Sequence, residues 1–467
     1  MTLRNVRPWG GAQVDVVCAG GRIVTIGKNL PRSAHEVAGE GRVLLPSLHD
    51  HHVHILATAA RRQSVNLAGL RDEAHVFRAL QDASGSISGK QWLRAVDYDE
   101  RAAGIPDQSL LDRWIADRPM RLQDRTGALW VLNTRAMAAL TGHCLPHGAE
   151  RDDEGLPNGR FWREDQWLRD TLGHESPDLS GLSRQLSACG VTGVTDAGAN
   201  NGPAEADLLG IARKRGEFRQ RLVLMGRETL KPGPEYELGA LKLMLDEHDL
   251  PQMDELVKRI LAARSMGRPV AAHCVTRTEL AWYLTALELA GGARPGDRVE
   301  HGALISPDFI DLVRGAKLTV VSNPVFIADR GERYRATIPP DDWPDLYRLQ
   351  SLLQAGVPLL AGSDSPYGDI DPWRGMAAAQ HRRCGDGVLL GEVERLTALT
   401  AYDLWRAPQV KRGNFKARLV PGARADLILC SGTLRDILTA PSARRVQMTL
   451  VAGEIVFDAT ETPVTGS

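Results

Sequence analysis

Cysteine is scarce and scattered in this chain. The six cysteines, Cys18, Cys144, Cys189, Cys274, Cys384 and Cys430, form no C-x-x-C pair. That excludes a disulfide scaffold or a thiolate zinc site and predicts a reduced, cytoplasmic protein. No apolar run approaches the ~18 residues that span a bilayer, and the first residues lack the basic-then-apolar order of a signal peptide. Neither sign of charge dominates, with 57 Lys+Arg against 58 Asp+Glu. Nucleic acid and anionic membrane surfaces are therefore not expected as partners. There is no G-x-x-x-x-G-K-[ST] loop to cradle phosphate and no G-x-S-x-G elbow to expose a nucleophilic serine. What remains is an ordinary globular composition: 467 residues, 43% hydrophobic and 25% charged. That length holds a large core, as two to four domains of ~100–200 residues or one barrel with additions.

Both ends of the chain read as short strands with tight turns. Val14–Cys18 and Arg22–Ile26 flank Ala19-Gly20-Gly21, a hairpin signal, and residues 425–429, 446–451 and 454–457 look alike at the other end. The expectation is one composite β-sandwich built from residues 1–46 and 416–467. Between them, eight apolar segments each end in a polar residue: 43–54, 191–196, 222–226, 240–246, 269–273, 298–301, 318–323 and 357–364. Apolar runs with polar tips read as buried parallel strands, with helices such as 252–266, 276–290 and 307–315 between them. The predicted fold class is α/β, a TIM-like (β/α)8 barrel over residues 47–415 whose chemistry sits at the strand C-termini. Lys242 to His273 is 31 residues and His273 to His301 is 28, one βα unit each. His54 to Val191 is 137, where a unit of ~30 would suffice. An insertion over about 61–164 is expected there.

The strongest chemical signal is Asp50-His51-His52-Val53-His54. Residues two apart on a strand face the same side, ~7 Å apart, so His52 and His54 are positioned to grip one metal ion. Asp50, one step lower on that face, is placed to orient a ligand. His49 and His51 are expected to face the helix layer. His273, His301 and Asp364 stand at three other strand ends and offer imidazole and carboxylate, which suit zinc, iron, cobalt or manganese. Lys242 is a sixth candidate: as a free ammonium it repels a cation, but as a CO2-derived carbamate it bridges two. Each residue alone has an ordinary structural use, as a core histidine, a helix cap or a salt-bridge lysine. Five metal-competent groups at barrel-spaced strand ends are much more specific.

These residues lie in segments that resemble the amidohydrolase superfamily of metal-dependent hydrolases, in the branch containing N-substituted formamide deformylase. The matching stretches include LLPSLHDHHVH, GVTGVTDAG, GALKLMLD, RPVAAHC, DRVEHGALI, SNPVF, AGSDSP and RLVPGARADLIL. The resemblance implies that His52, His54, His273, His301 and Asp364 ligate one or two divalent ions, zinc first, with Lys242 as the carboxylated bridge. It also implies a small-molecule substrate and a homo-oligomer, dimer or tetramer. Departures fall at Pro46-Ser47-Leu48, where Pro-Gly-Phe is usual, at Ala128 after Gly127, where a His is usual, and at Asp246-Glu247-His248 in the strand-4 segment.

The expected reaction is hydrolysis of an amide-type C–N bond in an N-acyl compound, formamide, urea or (thio)carbamate by metal-activated water. Asp364 is its general base, and His273 or His301 steadies the oxyanion. Trp130, Trp162, Phe326 and Tyr367 are candidate pocket walls for an apolar substituent, and Arg125 and Arg163 candidate carboxylate contacts. Two rivals differ in class. A hydrolytic deaminase of an aminated heterocycle would use a Glu near the strand-5 His, for which only Glu279 is at hand. A non-catalytic scaffold would be expected to have lost ligands, and here the full set stands.

Overall fold

The computed structural model describes residues 1–87, 89, 91–172, 177–406 and 419–460. The chain separates into two compact units: Met1–Ile55 with Leu179–Ser467, and Leu56–Asp178. The expected domain edge at 415/416, and residues 461–467, lie outside the described residues.

In the larger unit, eight parallel strands follow one another in a single sheet. They are β1 (Leu48–Val53), β2 (Val191–Asp196), β3 (Arg221–Gly226), β4 (Glu237–Leu243), β5 (Val270–Cys274), β6 (Arg298–His301), β7 (Thr319–Ser322) and β8 (Leu359–Ala361). The last strand returns to the first. Just past β8, Asp364 N donates to His52 O at 2.7 Å and His54 N donates to Ser365 O at 2.8 Å, so the sheet nearly closes into a barrel. Most strand residues are buried, because helices cover the outer face and side chains fill the interior. The covering helices follow from their sequences. Met253–Ser265 turns Leu256, Ile260 and Ala263 inward at spacings of four and three. Arg277–Leu289 starts from a capping box in which the Thr276 hydroxyl accepts from Glu279 N while the Glu279 carboxylate accepts from Thr276 N.

Strands from both chain ends meet in a second eight-stranded sheet. The apolar run from 43 to 54, expected as one strand, divides between the two sheets. Val43–Pro46 pairs antiparallel with Leu427–Cys430, and Leu48–Val53 becomes β1. Ser47 is the switch: its N–H goes to Asp426 O, whereas Leu48 N already bonds Gly190 O ahead of β2. Gly20 and Gly21, at φ of 55° and 73°, make the turn between Val14–Ala19 and Arg22–Gly27. Leu3, Val16, Ile23, Leu44, Leu427, Leu429 and Leu450 share the core of this sheet.

The smaller unit has a six-stranded sheet of its own. Leu80, Leu93, Leu111, Trp114, Leu122 and Val131 form its core. Among the described residues, no helix is long and apolar enough to cross a membrane.

Barrel closure depends on a missing side chain. A Cβ at Gly362 would lie 2.4 Å from His52 Cβ and 2.6 Å from His52 N. Gly362→Ala is expected to cost about 2 kcal/mol or more of stability through overpacking, seen as a lower urea midpoint. An unchanged midpoint would show that β1 and β8 are not held this closely.

Candidate metal centre

The three tightest candidate ligands come from the two strands that close the barrel. The ligand atoms of His52, His54 and Asp364 all lie within 4.8 Å of one another. His52 Nε2 is 3.3 Å and His54 Nε2 3.1 Å from Asp364 Oδ1. Asp364 sits in the left-handed region at φ 53°. Such a conformation costs of order ~1–3 kcal/mol and persists only where the surroundings impose it. Here they do: Asp364 N is fixed to His52 O, and Asp364 O accepts from Tyr367 N at 2.8 Å.

His301 also has a left-handed backbone, at φ 71°. Consecutive residues of a regular strand face opposite sides. The departure at His301 lets both Glu300 and His301 approach His52. Glu300 Oε2 accepts from His52 Nδ1 at 2.5 Å, while the His301 ring centroid is 4.7 Å from that of His52. The His273 ring is 4.5 Å from His301 in turn. These six candidates therefore occupy one neighbourhood, with Lys242 Nζ buried among the charges of Glu300 and Asp364.

Neighbouring groups set the imidazoles' tautomers. His52 Nδ1 donates to Glu300, whose carboxylate is clamped by Arg298 Nε at 2.5 Å and Nη2 at 3.0 Å. His301 Nδ1 donates to Asn323 Oδ1 at 2.8 Å, and Asn323 Nδ2 donates to Gly362 O. With Nδ1 protonated in each ring, Nε2 presents its lone pair. Asp50 has a different job from the one expected. Its Oδ1 accepts from Ser363 N and His52 N, tying β1 to the end of β8, and Glu300 rather than Asp50 orients the His52 ring. Burial pushes the Asp50 carboxyl up to about 6. His49 and His51 are buried with ring centroids 4.5 Å apart and planes tilted by 33°, and His49 Nε2 is paired with Thr195 Oγ1.

The electrostatics favour a cation. Burial alone would raise the Asp364 carboxyl, but His52, His54 and His301 hold it well below the usual range. Glu300 is likewise held low against burial by Arg298, Lys242 and His52. Burial and Lys242 oppose charge on His52, yet Glu300 and Asp364 outweigh them and raise it. Carboxylates that draw a proton to His52 draw a metal ion equally. Burial lowers Lys242, first among several causes, and so favours its neutral amine. Among the buried polar atoms, His52 Nε2, Asp364 Oδ1 and Lys242 Nζ make no hydrogen bond. Leaving such atoms unpaired is costly, and a divalent ion would satisfy the first two. The residues present fit a metal.

The candidate wall residues are placed variously. Phe326 is buried against Tyr347, and Tyr367 is 57% exposed with its ring edge-on to His54 at 5.8 Å. Trp130, in the smaller unit, is 5% exposed, packs with Leu132, Phe161 and Leu168, and donates through Nε1 to Asp165 at 2.6 Å. Trp162 is exposed and donates to Glu150. Arg125 is paired with Glu100 at 2.7 Å. Sequence reasoning missed Glu300, Arg298 and Asn323. The signal for Glu300 was present: a carboxylate inside a short apolar strand, directly before a candidate ligand.

Comparison with known proteins agrees with this arrangement. The sequence model of the amidohydrolase family matches residues 36–457. YtcJ of Bacillus subtilis (strain 168) is 22% identical over 91% of this chain and 90% of its own length. N-substituted formamide deformylase of Arthrobacter pascens is 24% identical over 98% of this chain and 97% of its own. In fold, the chain is similar to an uncharacterized metal-dependent hydrolase from Pyrococcus horikoshii, with a TM-score of 0.77 at 18% identity, covering 94% of this chain and 99% of that one.

Two outcomes follow from the geometry. Glu300→Gln removes the carboxylate that orients His52 and is expected to weaken metal retention by about 10–100-fold, read by competition with a chelator. Retention equal to wild type would remove Glu300 from the site. Second, burial holds the folded His273 imidazole neutral down to about 4 against an ordinary 6.5. The unfolded chain therefore binds that proton first as pH falls. Stability of the metal-free protein should drop between pH 6.5 and 4, and His273→Asn should flatten that slope in urea midpoints.

Proposed function

This chain belongs to the amidohydrolase family, and we propose that it hydrolyses an amide-type C–N bond in an N-acyl compound, formamide, urea or (thio)carbamate. The observation that carries the reading is the meeting of His52, His54 and Asp364, with His52 Nε2 and Asp364 Oδ1 making no hydrogen bond. His52, His54, His273, His301 and Asp364 hold one or two divalent ions, zinc before cobalt, manganese or iron. A bound ion supplies Lewis acidity and brings the pKa of water from 15.7 to ~7. Lys242 would join as a carbamate: its amine, whose charged form burial disfavours, would add through Nζ to CO2 with loss of one proton to solvent, leaving an anionic oxygen donor to help hold the metal.

Asp364 is the general base. Its carboxylate stays ionised because His52, His54 and His301 outweigh its burial. It takes a proton from the attacking water as the C–O bond forms, then delivers it to the leaving nitrogen as the C–N bond breaks. His273, kept neutral by burial, donates a hydrogen bond to the developing oxyanion; His301, the other candidate, gives its Nδ1 proton to Asn323. Glu300 and Asn323 act through the histidines, holding His52 and His301 in the tautomer that faces the site.

A hydrolytic deaminase would need a shuttle near His273. Glu279 is engaged otherwise: Oε2 accepts from Val275 N at 2.6 Å and Thr276 N at 3.0 Å, and Oε1 from Glu247 N at 3.2 Å. That commitment to a helix cap favours the amide reading.

Asp364→Asn is expected to reduce turnover by about 10²–10⁴-fold while largely sparing metal content. The measurement is release of amine or carboxylic acid from a panel of formamides, N-acyl compounds and ureas, with metal analysis alongside. Wild-type-like turnover by the variant would refute the role of Asp364. Ammonia released from aminated heterocycles, with the amides inert, would establish the deaminase instead.

A further inference from the structure

The helix Val325–Thr337 leaves the end of β7 immediately after Asn323, the residue that holds His301. Phe326, Arg330 and Tyr334 recur on it at four-residue spacing and share one face. Phe326 is buried at 3% exposure, and the Arg330 guanidinium lies over its ring, 4.0 Å from the centroid. Arg330 Nη2 donates to Tyr367 O at 2.7 Å. Tyr367 N and Gly368 N both donate to Asp364 O, so Arg330 is fastened to the turn that begins at the general base. Tyr334 Oη is 3.1 Å from Tyr347 Oη, and Arg330 acts on the Tyr334 phenol against the upward push of burial.

Asp329 acts on Arg330 only through space, without a salt bridge. Among the described residues, no carboxylate stands at salt-bridge distance from Arg330. Its neighbours Asp329 and Asp369 are both engaged by Arg374. A guanidinium is permanently protonated and carries five donors in a planar fork that matches a carboxylate. Here the fork is held flat by an aromatic face and spends one donor on a backbone carbonyl. Arg298, Arg221 and Arg277 of this unit have a carboxylate, Glu300, Asp426 and Asp345, while the buried Arg268 and Arg382 spend their donors on several backbone carbonyls instead. A cation fixed in place without a salt bridge, beside the turn that carries Asp364, is built to receive an anion.

We infer that Arg330, with the Tyr334 hydroxyl beside it, is a specificity subsite for a carboxylate on the substrate. The inference rests on the hydrolase reading above and narrows it: the scissile amide belongs to a molecule that also bears a carboxylate, with the exposed Tyr367 against its apolar part. Arg330 positions and takes no part in the bond changes.

The test compares a matched pair, N-formylphenylalanine and N-formylphenylalaninamide, which differ only in the charged group. Wild-type holoenzyme is expected to prefer the acid in kcat/KM by about 10–100-fold, the range of one charge-assisted contact. Arg330→Met should collapse that ratio toward one, mainly through KM for the acid, and Arg330→Lys should retain part of it. A merely structural Arg330, stacking on Phe326 and capping Tyr367, would lower both substrates alike and leave the ratio unchanged, which overturns the proposal. Should Arg330→Met fail to fold, the ratio in Arg330→Lys decides: a wild-type ratio rejects the subsite. Titration calorimetry with phenylacetate and phenylacetamide separates the two readings. Acid-selective binding lowered in Arg330→Lys, with no amide hydrolysed, keeps the subsite and rejects the hydrolase. Hydrolysis without acid preference does the reverse.

Discussion

The structure turns on lone pairs buried facing one another. His52 Nε2 and His54 Nε2 both approach Asp364 Oδ1, and His52 Nε2 and Asp364 Oδ1 have no hydrogen bond to offset their burial. For those last two atoms the arrangement alone is unfavourable, because each is desolvated without a hydrogen-bond partner. A divalent cation reverses the sign of each of those interactions at once. The rest of the site follows from that requirement. Glu300 and Asn323 keep Nδ1 of two histidines protonated so that Nε2 keeps its lone pair.

The barrel is built to keep these atoms in place. The hydrogen bonds that bring the last strand back to the first run through His52, His54 and Asp364 themselves. Asp50 adds a side-chain tie between the same strands, and Gly362 lets the two backbones approach. Closing the fold and assembling the site are therefore one event. The left-handed backbones of His301 and Asp364 are the local cost; hydrogen bonding over-determines both.

Much of this was legible in the sequence, and the limits have physical causes. The H-x-H pair, the strand-end residues and their spacing exposed the parallel barrel, because period-two alternation and βα length leave a direct trace. The division of residues 43–54 between two sheets was not legible, since an unbroken apolar run gives no sign of a change of partner. The switch is made by successive backbone bonds, Ser47 N to Asp426 O and Leu48 N to Gly190 O, which no local pattern encodes. Glu300 escaped notice because its meaning comes from His52, 248 positions away. Arg330 reads as one more surface arginine until its missing salt bridge is seen in three dimensions. Trp130, an aromatic in a conspicuous segment, packs in the core of the smaller unit.

X-ray absorption spectroscopy on purified protein, combined with metal analysis, tests the central claim most directly. The account predicts at least one divalent ion per chain in a nitrogen- and oxygen-ligand shell, with histidine scattering that diminishes in both His52→Asn and His54→Asn. A chain that binds no ion, or one whose shell is unchanged by both substitutions, would contradict it.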